Sequence, residues 1–143
     1  MTDPRLQAHR ARLVRLLHLR ALGLDPAIDA YRTNEANTAD ALEQVTGERL
    51  ERALGGGDWR GTRTHRIYDD CSPPRAPFFD RQLDNWRASL LRHATLTMGI
   101  DIVTVDLRNR DLTRPQIAAA VSLINALPQV ARRKVLLLVS AED

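Results

Sequence analysis

Residues 101–143, DIVTVDLRNRDLTRPQIAAAVSLINALPQVARRKVLLLVSAED, decide the fold of this chain. Ile102, Val103, Val105 and Leu107 form a β-rich run that reaches Asp106 and a polar turn over Arg108–Asp111. A capping pattern at Thr113 to Gln116 precedes Ile117, Ala120, Val121, Ile124 and Leu127 at helical spacing, and the apolar run Val135–Val139 closes the unit. Strand, crossover helix and second strand make a βαβ unit, whose parallel strands are buried on both faces. In open sheets of this kind polar chemistry gathers at the carboxyl ends of the strands. Those ends are Asp106 and Ser140.

Working back along the chain, His65–Asp70 reads as a short strand ending on the acidic pair Asp69-Asp70, and Cys71–Phe79, with three prolines, reads as loop. Asp80 is placed to cap a helix with Leu83, Trp86, Leu90 and Ala94 inward, ending near Gly99. Residues 4–22 predict an amphipathic, basic first helix stopped by Gly23, and a short helical turn is expected between Asp25 and Asn37. A second helix is expected from Asn37 or Thr38 through Leu54, weakened in its middle by Gly47 and ended by Gly55, Gly56 and Gly57. That glycine triplet follows a helix and no Lys-Ser or Lys-Thr follows it, so it reads as a cap or linker, not a phosphate loop. The fold expected is α/β: a small, mostly parallel, βαβαβ-like sheet over residues 64–140, preceded by an N-terminal helical pair. Residues 1–57 would be the helical segment and 58–143 a receiver-like or Rossmann-like part, together one compact domain.

Composition narrows the function classes. With 143 residues and 43% hydrophobic content the chain can bury a real core. Lys134 is the only lysine, so arginine carries the positive charge, and the formal net charge is +3. The charge is unevenly spread, at +4 over residues 1–24 and −5 over residues 25–58. Two helices attracting each other across a hairpin explain this, as does a basic surface offered to phosphate; the small net charge favours the first. If nucleic acid is bound, the candidates are Arg5, Arg12, Arg15 and Arg20, or Arg60, Arg63 and Arg66. Cys71 alone excludes an internal disulfide and a cysteine-based zinc site, which points to a reducing cytoplasm. No run approaches the roughly 18 apolar residues of a membrane span, so no membrane association is expected. Trp59 and Trp86 read as core or interface anchors.

Asp69, Asp70 and Asp106 would converge at one edge of a parallel sheet with Ser140 nearby, and grouped carboxylates of this kind hold Mg²⁺ through oxygen ligands. In this pattern residues 64–143 resemble a degenerate, incomplete receiver domain of two-component signalling: Asp69 and Asp70 stand for its acidic pair, Asp106 for its phosphate-accepting Asp, and Ser140-Ala141 for its Ser/Thr-Ala. The fifth strand and its lysine have no counterpart. The segments DRQLDNWRASL and RPQIAAAVSLINAL also resemble the catalytic domain of serine recombinases, whose nucleophile would fall near Ser72.

Only three strands are legible, and so small a sheet leaves edges and faces to be covered by association. The leading expectation is therefore a non-catalytic interaction or regulatory module acting as a homo-oligomer, needing no cofactor and partnered by a second copy or another protein. The alternatives are a Mg²⁺-dependent phosphoryl-transfer or nuclease-type enzyme using Asp69, Asp70 and Asp106, with Asp106 and Ser140 as catalytic candidates, and an arginine-based nucleic-acid-binding protein.

Overall fold

The computed structural model describes residues 3–25, 30–108 and 110–140. Helix α1, Pro4–Gly23, starts where the Asp3 carboxylate accepts the Arg5 amide hydrogen at 2.9 Å and Pro4 opens the first turn. Strands β1 (Leu24–Asp25) and β2 (Ala30–Tyr31) form a two-stranded antiparallel pair. The short helical turn expected here falls largely outside the described residues, as does Ala141.

Helix α2, Thr33–Thr46, begins and ends earlier than the sequence pattern suggests. Gly47 terminates it at φ +68°, its amide donating to the Glu43 carbonyl, a left-handed cap that a side chain would strain. Leu50, Glu51 and Arg52, expected as helix, form strand β3 (Leu50–Arg52), paired with β4 (Trp59–Gly61). Gly55–Gly57 therefore sit in the turn of a β-hairpin and do not cap a helix.

Strand β5, Ile67–Asp70, pairs antiparallel with β4 and parallel with β6 (Ile102–Asp106), and β6 pairs parallel with β7 (Val135–Leu138). The sheet has five strands in the order β3-β4-β5-β6-β7, and it is mixed where a mostly parallel one was expected. The parallel half is the βαβ unit read from residues 101–143. Its crossover is helix α4, Arg114–Asn125, opened by a capping box between Thr113 and Gln116. The four-residue helix α5, Gln129–Arg132, leads into β7. Helix α3, Ala76–Thr95, starts one turn before Asp80, because Pro77 fits the first turn of a helix.

Helices cover both faces, not only the N-terminal side. Alternation along the strands sends Tyr68, Ile102, Leu136 and Leu138 toward α1 and α2, where they meet Leu22, Ala39, Leu42 and Trp59. Val103, Val105, Val135 and Leu137 face Phe79, Trp86, Leu90, Ala120 and Ile124 of α3 and α4. Both tryptophans are buried with their N–H satisfied: Trp59 donates to the Leu22 carbonyl at 3.0 Å and Trp86 to the Cys71 carbonyl at 2.9 Å. With five strands and two covered faces, the reason given for self-association, a three-stranded sheet with bare faces, falls away.

Candidate active site

Alternation on β5 splits the acidic pair between the two faces of the sheet. Asp69 points toward α3 and forms a short hydrogen bond to His93 Nδ1, and Asp70 points toward the start of α2. Asp58, the residue just before β4, reaches the same point from the antiparallel side: its Oδ2 accepts the Asp70 amide hydrogen at 2.8 Å, and its carboxyl is hydrogen-bonded to that of Asp69. Glu35, in the first turn of α2, is joined to this group by Arg52, which lies 3.3 Å from Glu35 and 3.8 Å from Asp58. Four acidic residues from three parts of the chain thus gather beside β5.

Asp106 is not part of the gathering in the way the sequence suggests. Its carboxylate accepts from Arg108 Nε and Nη2 at 2.9 and 3.0 Å and from the Thr38 hydroxyl at 2.7 Å, so it ties β6 to α2. Ser72 bridges the two regions, donating to Asp70 at 2.5 Å and accepting the Asp106 amide hydrogen at 2.9 Å. Ser140 follows β7 in irregular structure.

The charge balance separates these carboxyls. Burial opposes ionisation of Asp106, but the Arg108 guanidinium and the Thr38 hydroxyl outweigh it and hold the group below the usual carboxylate range. Asp58 is pushed up to about 7 by burial, reinforced by the charges of Asp69 and Glu35. Asp70 is pushed up to about 6, again chiefly by burial, with Glu35 and Asp106 adding to it. The two raised groups are those whose guanidinium partners are distant, Arg52 at 3.8 Å and Arg110 at 4.0 Å, beyond the roughly 2.7–2.9 Å of a charge-assisted hydrogen bond. Burial thus makes Asp58 and Asp70 the carboxyls of this group that exchange a proton nearest neutral pH. Arg52 also leaves its buried Nε without a hydrogen-bond partner.

Two clefts flank Asp70 and Arg110 and meet there. One, of about 370 Å³, is lined by Arg32, Thr33, Asn34 and Glu35 at the start of α2. The other, of about 470 Å³, runs along α3 past Gln82, Asn85, Ser89 and His93. Arg110 is fixed between them by its bonds to the carbonyls of Asp106 at 3.3 Å and Pro73 at 3.1 Å. Cys71 lines the second cleft, but burial pushes its thiol up to about 11, so it holds its proton at neutral pH and is a poor nucleophile.

Among the described residues no three carboxylate, imidazole or thiol groups converge as a ready-made metal cage. Glu35, Asp58 and Asp70 carry oxygen donors of the kind hard divalent cations take, but Arg52 stands between the first two and the three do not close around one point. Glu35 and Asp58 were not singled out in the sequence, because each becomes acidic-site material only when the β3–β4 hairpin folds against α2. Among the arginines considered for nucleic acid, Arg15 pairs with Asp40 and Glu43, and Arg60 with Glu51. Arg5, Arg12, Arg20, Arg63 and Arg66 are exposed.

No family model and no curated protein sequence matches the chain. A chain from the solved complex of the CdiA-CT toxin of Burkholderia pseudomallei E479 with its cognate CdiI immunity protein is similar to it, at 27% identity and a TM-score of 0.65. The likeness covers 76% of this chain and 100% of that one. It is thus to a protein of a toxin–immunity complex, not to a receiver domain. No described helix is long and apolar enough to cross a membrane.

Proposed function

We infer that this chain is a toxin-type effector domain that cleaves phosphodiester bonds at the acidic group beside β5, and that a dedicated inhibitor protein holds it in check. The observation that carries the reading is the pair of buried carboxyls Asp58 and Asp70, tied together by the Asp70 amide, next to a cleft that opens on Arg32, Arg110 and the first turn of α2. Cations and helix N-terminal amides attract a phosphate, and carboxylates beside it are placed for a divalent ion or for proton transfer. A divalent ion held at Asp70 would supply Lewis-acid stabilisation of the phosphoryl charge. The chain itself would orient the phosphate through Arg32 and Arg110, and Ser72 would keep Asp70 aimed at it. The likeness to a protein of a toxin–immunity complex supports the protein partner.

Calorimetric titration with Mn²⁺ tests the site. Binding near neutral pH, lost in Asp70→Asn and kept in Asp106→Asn, is the expected outcome. Absence of binding, or equal loss in both variants, would overturn the assignment of the ion to this group.

A further inference from the structure

On its α3 wall the second cleft is lined, beside Trp86 and His93, by uncharged polar side chains. Helix α3 is rich in charged residues, yet Asp80, Arg81, Asp84, Arg87 and Arg92 are not among the cleft's lining residues. Arg81 packs over the Phe78 ring, 5.5 Å from its centroid, and Asp80 accepts from Gln116 of α4. The cleft instead receives Gln82, Asn85 and Ser89, spaced at i, i+3 and i+7, so they form one stripe along the helix. Neither the Gln82 nor the Asn85 amide engages another described residue. Each amide offers a donor pair and an acceptor side by side, the arrangement that matches the edge of a nucleobase. A phosphate can use only the N–H donors of such amides, whereas a base edge uses donor and acceptor together. The cleft's volume of about 470 Å³ falls within the range of sites that enclose a small organic group. It opens directly onto Asp70 and Arg110, so a base in it would belong to a nucleotide whose phosphate reaches the acidic group.

We propose that Gln82, Asn85 and Ser89 form a base-reading subsite that sets the sequence preference of this domain on single-stranded nucleic acid. The proposal rests on the phosphodiester-cleaving reading of the acidic group and assigns its specificity. Base edges are free only where the strand is unpaired, which is why a single strand is the fitting ligand.

The test is fluorescence anisotropy with labelled homopolymeric oligonucleotides of each base, as RNA and as DNA, using wild type and Gln82→Ala/Asn85→Ala. Both positions are exposed on a helix, where alanine is well tolerated. The expected result is one base bound at least tenfold more tightly than the others, with that preference collapsing in the variant while the salt dependence of binding stays unchanged. A shared preference in the RNA and DNA series assigns recognition to the base alone; a preference confined to one series adds the sugar. Equal affinity for all bases, no binding at all, or a preference that survives the double substitution would overturn the subsite. Cleavage without base preference leaves the acidic site standing, whereas selective binding without cleavage by the wild type refutes the acidic site and not the subsite.

Discussion

Replacing Asp58 by asparagine should stabilise the protein, and the more so the higher the pH. Folded Asp58 keeps its proton to about pH 7, whereas an unfolded aspartate loses it near 3.9. The folded state binds more protons than the unfolded state between those values, so stability is greatest below the lower one and falls as pH rises through the upper. Each pKa unit is worth 1.36 kcal/mol, so the full displacement of about three units would cost the wild type about 4 kcal/mol at pH 8. The side chain is one-fifth exposed, and solvent screening brings the expected figure to about 2 kcal/mol. Asparagine carries no charge and its oxygen can still accept the Asp70 amide hydrogen. Asp58→Asn should therefore unfold about 6 °C above wild type at pH 8. At pH 5, where the difference in bound protons has had only about one unit to act, the gain should shrink to about a third of that. Thermal unfolding by circular dichroism at the two pH values reads this directly. A variant less stable than wild type at pH 8, or equally stabilised at both, would refute the claim that burial pushes this group's pKa up.

Asp106→Asn should act in the opposite direction. It weakens the charge-assisted bonds to the quarter-exposed Arg108 and should lower stability by about 2 kcal/mol at pH 7. Because the folded Asp106 pKa is depressed, its contribution is present above the unfolded value and lost as pH falls through the folded one. Denaturant unfolding at pH 7 and pH 3 should show the two proteins converging at the lower pH. Gly61→Ala should cost about 2 kcal/mol, because its Cβ would overlap the buried Glu48 carboxylate and displace it from the amides of Arg63 and Thr64. An unchanged unfolding midpoint for that variant would show that the Glu48 turn is not tightly held.

The βαβ unit was legible because its signals agree: the capping box, the helical spacing from Ile117 to Leu127 and the apolar run at Val135 all point to one structure. The β3–β4 hairpin was hidden because Leu50–Arg52 and Trp59–Gly61 are short, and Leu42, Leu50 and Leu54 sit at near-helical spacing. Gly47 was the available clue, as a stop signal at the end of a helix and not a weak point within one. Missing the hairpin also hid the site. Asp58 is distant from Asp69 in sequence and reaches it only through antiparallel pairing of β4 with β5, and Glu35 joins only through Arg52 on β3. Asp106 was read as a site residue because it ends a parallel strand, but its Arg108 two residues on occupies it locally. The acidic pair Asp69-Asp70 was visible; its division between two faces follows from strand alternation.

The decisive measurement is cleavage of labelled single-stranded RNA and DNA by the purified protein with and without Mn²⁺ or Mg²⁺, with Asp70→Asn and Asp106→Asn alongside. The acidic group beside β5 predicts cleavage that requires the divalent ion, falls at least a hundredfold in Asp70→Asn and stays within about threefold of wild type in Asp106→Asn below its unfolding temperature. No cleavage of either polymer under any of these ions, or cleavage indifferent to Asp70→Asn, would contradict it.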